Sequence, residues 1–276
     1  MITGASSGFG LLTAVTLARR GWHVLATMRD LSRSAALEEA ACEAGVWQRI
    51  ELLRLDVTQG EQIVALATEI KQRKTPLNAI VNNAGFAVGG FADDVSDAEL
   101  REQFDTNFFG AVAVTRAFLP QLRRQGAGHI VMVSSISGRT GFPAVGSYVA
   151  SKHALEGWTE TLRLEMQPLG IPVAMVEPGS FETSIWTRGA RMAAGASSPD
   201  SPNATRTARL GKRMKDAGKR SDPQQVANTI ARILESKQPR LRYVVGTDAR
   251  IVVWMRRLLP WKIFERVMIR VSGIAK

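Results

Sequence analysis

Apolar residues along this chain fall into two alternating patterns. Short, nearly unbroken apolar runs at 23–28, 50–56, 79–82, 129–134, 172–177 and 243–246 predict strands, and the segments between them space their apolar residues three and four apart, as helices do. The strongest helical stretches are 97–119 and 147–167; the second carries Leu155, Trp158, Leu162 and Met166 along one side, which reads as core. Strands alternating with helices predict an α/β fold, a doubly wound, mostly parallel sheet with helices on both faces. The opening is short for such a fold. Only Met1, Ile2 and Thr3 precede the first glycine, whereas a strand usually has about five or six residues, so the natural chain is expected to extend upstream of Met1.

Composition narrows the classes. A chain of 276 residues with 45% apolar content can bury one large core and is neither disordered nor fibrous. The single cysteine, Cys42, excludes an intramolecular disulfide and fits a reducing compartment. His23, His129 and His153 are scattered with no second ligand at metal spacing, so no metal site is expected. No apolar run reaches the ~18 residues of a spanning helix and no charged segment followed by an apolar stretch opens the chain, which makes the cytoplasm the expected location.

The chemistry concentrates in a few short motifs. Thr3-Gly4-Ala5-Ser6-Ser7-Gly8-Phe9-Gly10 is a glycine-rich turn feeding a helix. Its glycines permit close backbone approach, and the helix start offers N–H groups to a pyrophosphate. Tyr148 and Lys152, four residues apart, share one face of a predicted helix. A phenol titrates near ~10, and an ammonium about 4 Å away at an effective dielectric of ~20 supplies roughly the 4 kcal/mol needed to bring it toward neutrality. Ser135 closes the apolar run from 129, placing a hydroxyl at the carboxyl edge of a strand, where ligands bind in open α/β sheets. Asn107 interrupts a helical stretch in which asparagine is a poor former.

In this order, the glycine turn, Asn82-Asn83-Ala84-Gly85, Ser135, Tyr148-x-x-x-Lys152 and Pro178-Gly179 resemble the short-chain dehydrogenase/reductase family over residues 1 to about 185. The resemblance implies a Rossmann-like fold and NAD(P)-dependent interconversion of a carbonyl and an alcohol. By it, Tyr148 is the general acid–base, Lys152 lowers its pKa and holds the cofactor ribose, Ser135 hydrogen-bonds the substrate oxygen, and Asn107 holds a helix kink and a relay water. It also assigns the cofactor to Gly4, Ser6, Ser7, Gly8, Phe9 and Gly10, to Asp56 and Val57 at the adenine, to Asn83, Ala84 and Gly85 beside the ribose, and to Pro178, Gly179 and Thr183 at the nicotinamide. Where dinucleotide sites place an acid against the ribose 2′-hydroxyl, this chain has Met28 followed by Arg29, which favours NADP(H); Asp30 keeps NAD(H) open.

The chain is read as one unit, 1–276: a cofactor-binding and catalytic core at 1–185, a substrate lid region at 186–222, and a last helix, last strand and basic tail at 223–276. Phe86, Val88, Phe91, Phe142, Val145, Phe181, Ile185 and Trp186 flank the catalytic edge and suggest a lipophilic substrate. Ala26-Thr27-Met28-Arg29-Asp30 and Glu177-Pro178-Gly179 resemble the branch of hydroxysteroid and retinol dehydrogenases. Alternatives are a 3-oxoacyl-thioester reductase and a dinucleotide-binding sensor without turnover. The net charge of +11 gathers late in the chain. A solvated basic face over a lid or dimer contact is the favoured reading, with peripheral membrane contact through the tail as its rival. No recognition motif accompanies the charge, so nucleic acid is not an expected partner. By family analogy a homodimer or homotetramer is expected.

Overall fold

Alternate positions on each strand bury into opposite cores, and this builds the sheet from both sides. On β6 (His129–Val133), Val131 and Val133 join one core while Ile130 and Met132 join the other; on β7 (Val173–Pro178), Ala174 and Val176 oppose Val173 and Met175 in the same way. Strands buried on both faces read as continuous apolar runs, which is why these segments were legible without alternation. The computed structural model describes residues 1–73, 75–181, 190–198, 200–216 and 221–274.

The remaining strands of the main sheet are β1 (Ile2–Thr3), β2 (Val24–Met28), β3 (Ile50–Arg54), β4 (Ala79–Asn82) and β9 (Arg242–Val245). Seven strands pair in the order β3-β2-β1-β4-β6-β7-β9, every neighbour parallel. Helices α1 (Gly8–Arg19), α2 (Ala35–Glu43) and α8 (Gln224–Glu235) cover one face. Helices α3 (Gly60–Gln72), α5 (Ala111–Gln125) and α6 (Gly146–Met166) cover the other. The chain winds outward from β1 through β2 to β3, then returns to β4. The strand order therefore reverses between β1 and β4, and a crevice opens at their carboxyl ends.

The strands expected from sequence are present, with ends moved by one or two residues. β3 stops at Arg54 because Asp56 leaves the ladder, its Oδ1 accepting from the Thr58 amide and hydroxyl at 3.0 and 2.8 Å. The stretch read as one helix at 97–119 is three pieces: α4 (Asp97–Phe104), a π-helical turn at Asp105–Gly110, and α5, which runs on to Gln125. Ser96 and Glu99 start it with a reciprocal capping box, and Gly126, left-handed at φ 63°, ends it. A small sheet was not foreseen. β5 (Ala87–Gly89) pairs in parallel with β8 (Ala190–Met192), runs too short to carry a period. α7 (Ala204–Asp216) lies within the expected lid region, and α9 (Thr247–Leu258) and α10 (Trp261–Ser272) form the tail.

Ile230 on α8 is fully buried in the core that covers β1, β2, β6 and β7. Ile230→Ala should cost about 2–5 kcal/mol, read as a lower urea midpoint at unchanged slope.

Candidate active site

The glycine turn is held to the switch point by side chains, not by strand pairing alone. Thr3 Oγ1 accepts the amides of Asn83 and Ala84, each at 3.0 Å, and Asn83 Nδ2 donates back to the carbonyls of Thr3 (2.9 Å) and Gly4 (3.0 Å). Gly4 and Gly8 are left-handed, at φ 66° and 55°. Gly4 also packs so tightly that an added Cβ would come 2.9 Å from Ala84 Cα, and one on Gly10 would fall on the Gly4 carbonyl and Asn83 Nδ2. The first turn of α1 carries no acidic residue and no side-chain cap, so its electropositive end faces the crevice. Phe9 packs edge-on against Phe181, ring centroids 5.6 Å apart.

Asn107 lies in the π-turn and is buried. Its Oδ1 accepts the Phe86 amide (3.1 Å), and its Nδ2 donates to the Phe86 carbonyl (3.0 Å) and to Ser151 Oγ on α6 (3.1 Å). One widened turn thus ties the strand that leaves Gly85 to the helix bearing Tyr148. Gln103, which the sequence reading passed over, supports the same loop through Val88 N at 2.8 Å and Phe86 O at 2.6 Å. Gly85 sits between the two sites: a Cβ there would come 3.1 Å from Asn107 Oδ1 and 3.8 Å from Lys152 Nζ.

Ser135, Tyr148 and Lys152 converge at the carboxyl end of β6, all three buried. The Tyr148 hydroxyl is hydrogen-bonded to Ser135, whose Oγ also accepts the Ser137 amide at 3.1 Å. Lys152 Nζ donates to the Val133 carbonyl at 2.9 Å and lies 5.7 Å from the centroid of the Tyr148 ring. Burial pushes Tyr148 up to about 12, against the opposing Ser135 bond. Burial lowers Lys152 to about 8, the Glu156 charge resisting. In this arrangement the ammonium is held at a backbone carbonyl, and desolvation raises the phenol above its ordinary value.

Behind these groups lies a buried ionic cluster. Glu156, one turn beyond Lys152, accepts Ser134 Oγ at 2.8 Å and pairs with Arg242 of β9. Arg242 also reaches Glu177 and Glu160, each at 2.5 Å, and Arg139 stands 3.9 Å from Glu177. Burial, then the Glu156 charge, push Glu177 up, and Arg242 and Arg139 pull it down. Gly138 makes room for the cluster, since a Cβ there would land on the Glu156 carboxylate. None of these charges was read as part of the site from sequence; Glu177 lay in a quoted motif, but its partners come from β9, α6 and the turn after β6.

At the other end of the crevice, Arg29 and Arg54 line a cavity of about 490 Å³ with Asp30, Leu31 and Ser32. Arg54 escaped the sequence reading; parallel register alone sets it beside Met28. Asp30 is committed to its own turn, its Oδ1 accepting the amide (3.0 Å) and hydroxyl (2.7 Å) of Ser32. Met28 is buried in the core. Val57 is buried against Gly110, next to Asp56. Gly179 N donates to the Val245 carbonyl (2.9 Å) and Ser180 N to Asp248 (2.6 Å), which anchors Pro178-Gly179 to the start of α9. Ser6 is half-buried and Ser7 exposed at the mouth of the turn. Of the apolar residues expected to line a pocket, Val88, Phe91 and Phe181 are core, whereas Phe86, Phe142 and Val145 are half-buried. Thr183, Ile185 and Trp186 lie outside the described residues.

A family model for short chain dehydrogenases matches residues 1–193. The uncharacterized oxidoreductase YusZ of Bacillus subtilis is 41% identical over 270 residues, 97% of this chain and 96% of that protein. Retinol dehydrogenase 8 of Bos taurus is 35% identical over 268 residues, 94% of this chain and 85% of that protein. The crystal structure of a short-chain dehydrogenase from Streptomyces avermitilis superposes with a TM-score of 0.80 at 31% identity, covering 99% of this chain and 94% of that one.

Glu156→Gln keeps an acceptor for Ser134 and deletes the charge facing Lys152. The Lys152 amine should then titrate below its wild-type value of about 8, followed by NMR of labelled lysine, and stability should drop by roughly 1–3 kcal/mol. An unmoved titration would show the two groups to be uncoupled.

Proposed function

The chain belongs to the short-chain dehydrogenase/reductase family and is an oxidoreductase, and from that premise we propose that it reduces a lipophilic ketone or aldehyde, or oxidises the matching alcohol, with NADP(H). The observation that carries the reading is the hydrogen-bonded pair of Tyr148 and Ser135 at the strand edge beside the glycine turn, with Lys152 one helical turn away.

The residues fit a nicotinamide dinucleotide. The turn Gly4, Ser6, Ser7, Gly8, Phe9 and Gly10 leaves a cradle that Cβ atoms at 4 and 10 would fill, and α1, with no acidic residue in its first turn, would offer its start to a pyrophosphate there. Asn83, Ala84 and Gly85 would hold the ribose, Asp56 and Val57 the adenine, and Pro178 and Gly179 the nicotinamide. Arg29 and Arg54 would hold a 2′-phosphate in the cavity they line, while Asp30 is turned into its own cap. Once bound, the dinucleotide supplies or accepts the hydride.

The chain's own groups handle the proton. With its pKa pushed up to about 12, Tyr148 is a neutral phenol at pH 7, the form that donates to a carbonyl oxygen as hydride arrives at carbon. Ser135 donates to the same oxygen and steadies the charge that develops there. Lys152 faces the ribose, and Asn107 keeps the Phe86 loop and α6 in register. Support for a lipophilic substrate comes from the likeness to retinol dehydrogenase 8 and from half-buried Phe86, Phe142 and Val145. Family membership carries the expectation of a homodimer or homotetramer.

NADPH consumption by the wild type and by Tyr148→Phe, measured against steroid ketones, retinal, simple aldehydes and an acetoacetyl thioester, tests the reaction. Turnover should appear with the lipophilic carbonyls and fall by at least about 100-fold in the variant, in keeping with loss of a general acid, while NADPH still binds. Turnover confined to the thioester would favour the acyl-thioester reductase, and bound NADPH with no turnover would favour the sensor. Arg54→Ser should lower kcat/KM for NADPH by roughly 10- to 100-fold, the worth of one charge-assisted bond, and leave NADH turnover nearly unchanged.

A further inference from the structure

Helices α9 and α10 invert the usual arrangement of a surface helix. On α9, buried Ala249 and half-buried Val252 and Val253 face the body, while Ile251, Trp254 and Leu258, at spacings of three and four, point outward with 52–63% of their surface exposed. Trp261, at the start of α10, extends the stripe at 55% exposure. The basic residues are exposed as well, as expected of a solvated basic face, and they stand around the apolar stripe. The two helices carry Arg250, Arg256, Arg257, Lys262, Arg266 and Arg270 against only Asp248 and Glu265, and Asp248 is engaged by the Ser180 amide.

The pair is packed together and tied to the body. Phe264 is buried, the Arg256 guanidinium lies 5.2 Å from the Trp261 ring and 5.9 Å from Phe264, and Arg213 of α7 donates to the Val271 carbonyl at 3.2 Å. The exposed stripe is therefore a formed surface held to the body at both ends.

We infer that α9 and α10 dock this protein on an anionic lipid surface, with Ile251, Trp254, Leu258 and Trp261 entering the headgroup boundary and the surrounding arginines meeting lipid phosphate. Charge complementarity selects this occupant. A symmetric contact with a second copy would set Arg250 and Arg257 near their own counterparts on a chain of net charge +11, whereas an anionic leaflet neutralises them. Among the described residues no helix is long and apolar enough to cross a membrane, so the contact is peripheral. The inference does not depend on the reaction proposed above.

Flotation of the full chain with vesicles of phosphatidylcholine alone, and with 30% phosphatidylglycerol as a roughly one-third anionic mixture, tests it. The wild type should float with the anionic vesicles, bind several-fold less at about 0.5 M salt, and show a blue-shifted tryptophan emission when bound. The exposed double variant Trp254→Ser/Leu258→Ser should keep the wild-type melting temperature and lose at least about tenfold of the bound fraction. Failure of the wild type to float, or equal flotation of the folded double variant, would overturn the inference. So would a wild-type dimer that the double variant converts to monomer.

Discussion

The exchange of hydrogen bonds between Thr3 and Asn83 is the constraint on which the site depends. A parallel sheet that reverses its winding opens a crevice beyond the carboxyl ends of β1 and β4, past their last backbone pair. Thr3, Asn83 and Ala84 tie the two strand ends there with four bonds of 2.9–3.0 Å that involve the Thr3 and Asn83 side chains. The glycine turn is thereby held at a set distance from β4, and with it the direction in which α1 points. Everything that follows β4, including the Gly85 passage between Asn107 and Lys152, takes its position from the same joint.

A second constraint is electrostatic. Lys152, Glu156 and Glu177 are all buried, and isolated charges in such places are costly. Arg242 makes the set tenable: burial opposes its charge, yet bonds from Glu160, Glu156 and Glu177 outweigh that and raise its pKa. An edge strand far along the chain thus supplies the partner of the carboxylate that stands one turn from the α6 lysine. The hydroxyl pair Ser135–Tyr148 lies in the same low-dielectric region, which strengthens hydrogen bonds made there and keeps the phenol protonated.

What sequence revealed and what it hid follow from the range of the interactions. The glycine turn, Tyr148 and Lys152 are local: each motif fits within one turn or one helix face, so spacing alone exposes it. Doubly buried strands were equally plain. The Arg242 cluster joins residues 65 to 86 positions apart, and no periodicity marks such pairs. Arg54 is close to Arg29 only through the register of β2 and β3. The π-turn around Asn107 showed itself as a misplaced asparagine, without disclosing that it bonds across to Phe86 and Ser151. Exposure was the hardest property to read. The tail composition announced basic and apolar residues, and only the seating of Ala249 and Phe264 decides which of them face outward.

Gly138 sets a steric condition on the ionic cluster. Any side chain at that position would occupy the space of the Glu156 carboxylate and displace it from both Ser134 and Arg242. Positions 138 and 156 are therefore coupled through space. A Cβ at 138 requires the side chain at 156 to be shortened or moved aside, and the charge on Arg242 is then left to Glu177 and Glu160. The glycine acts as a lock: while it stays, the buried glutamate can stay, and with it the charge that holds the neighbouring lysine's pKa up against burial.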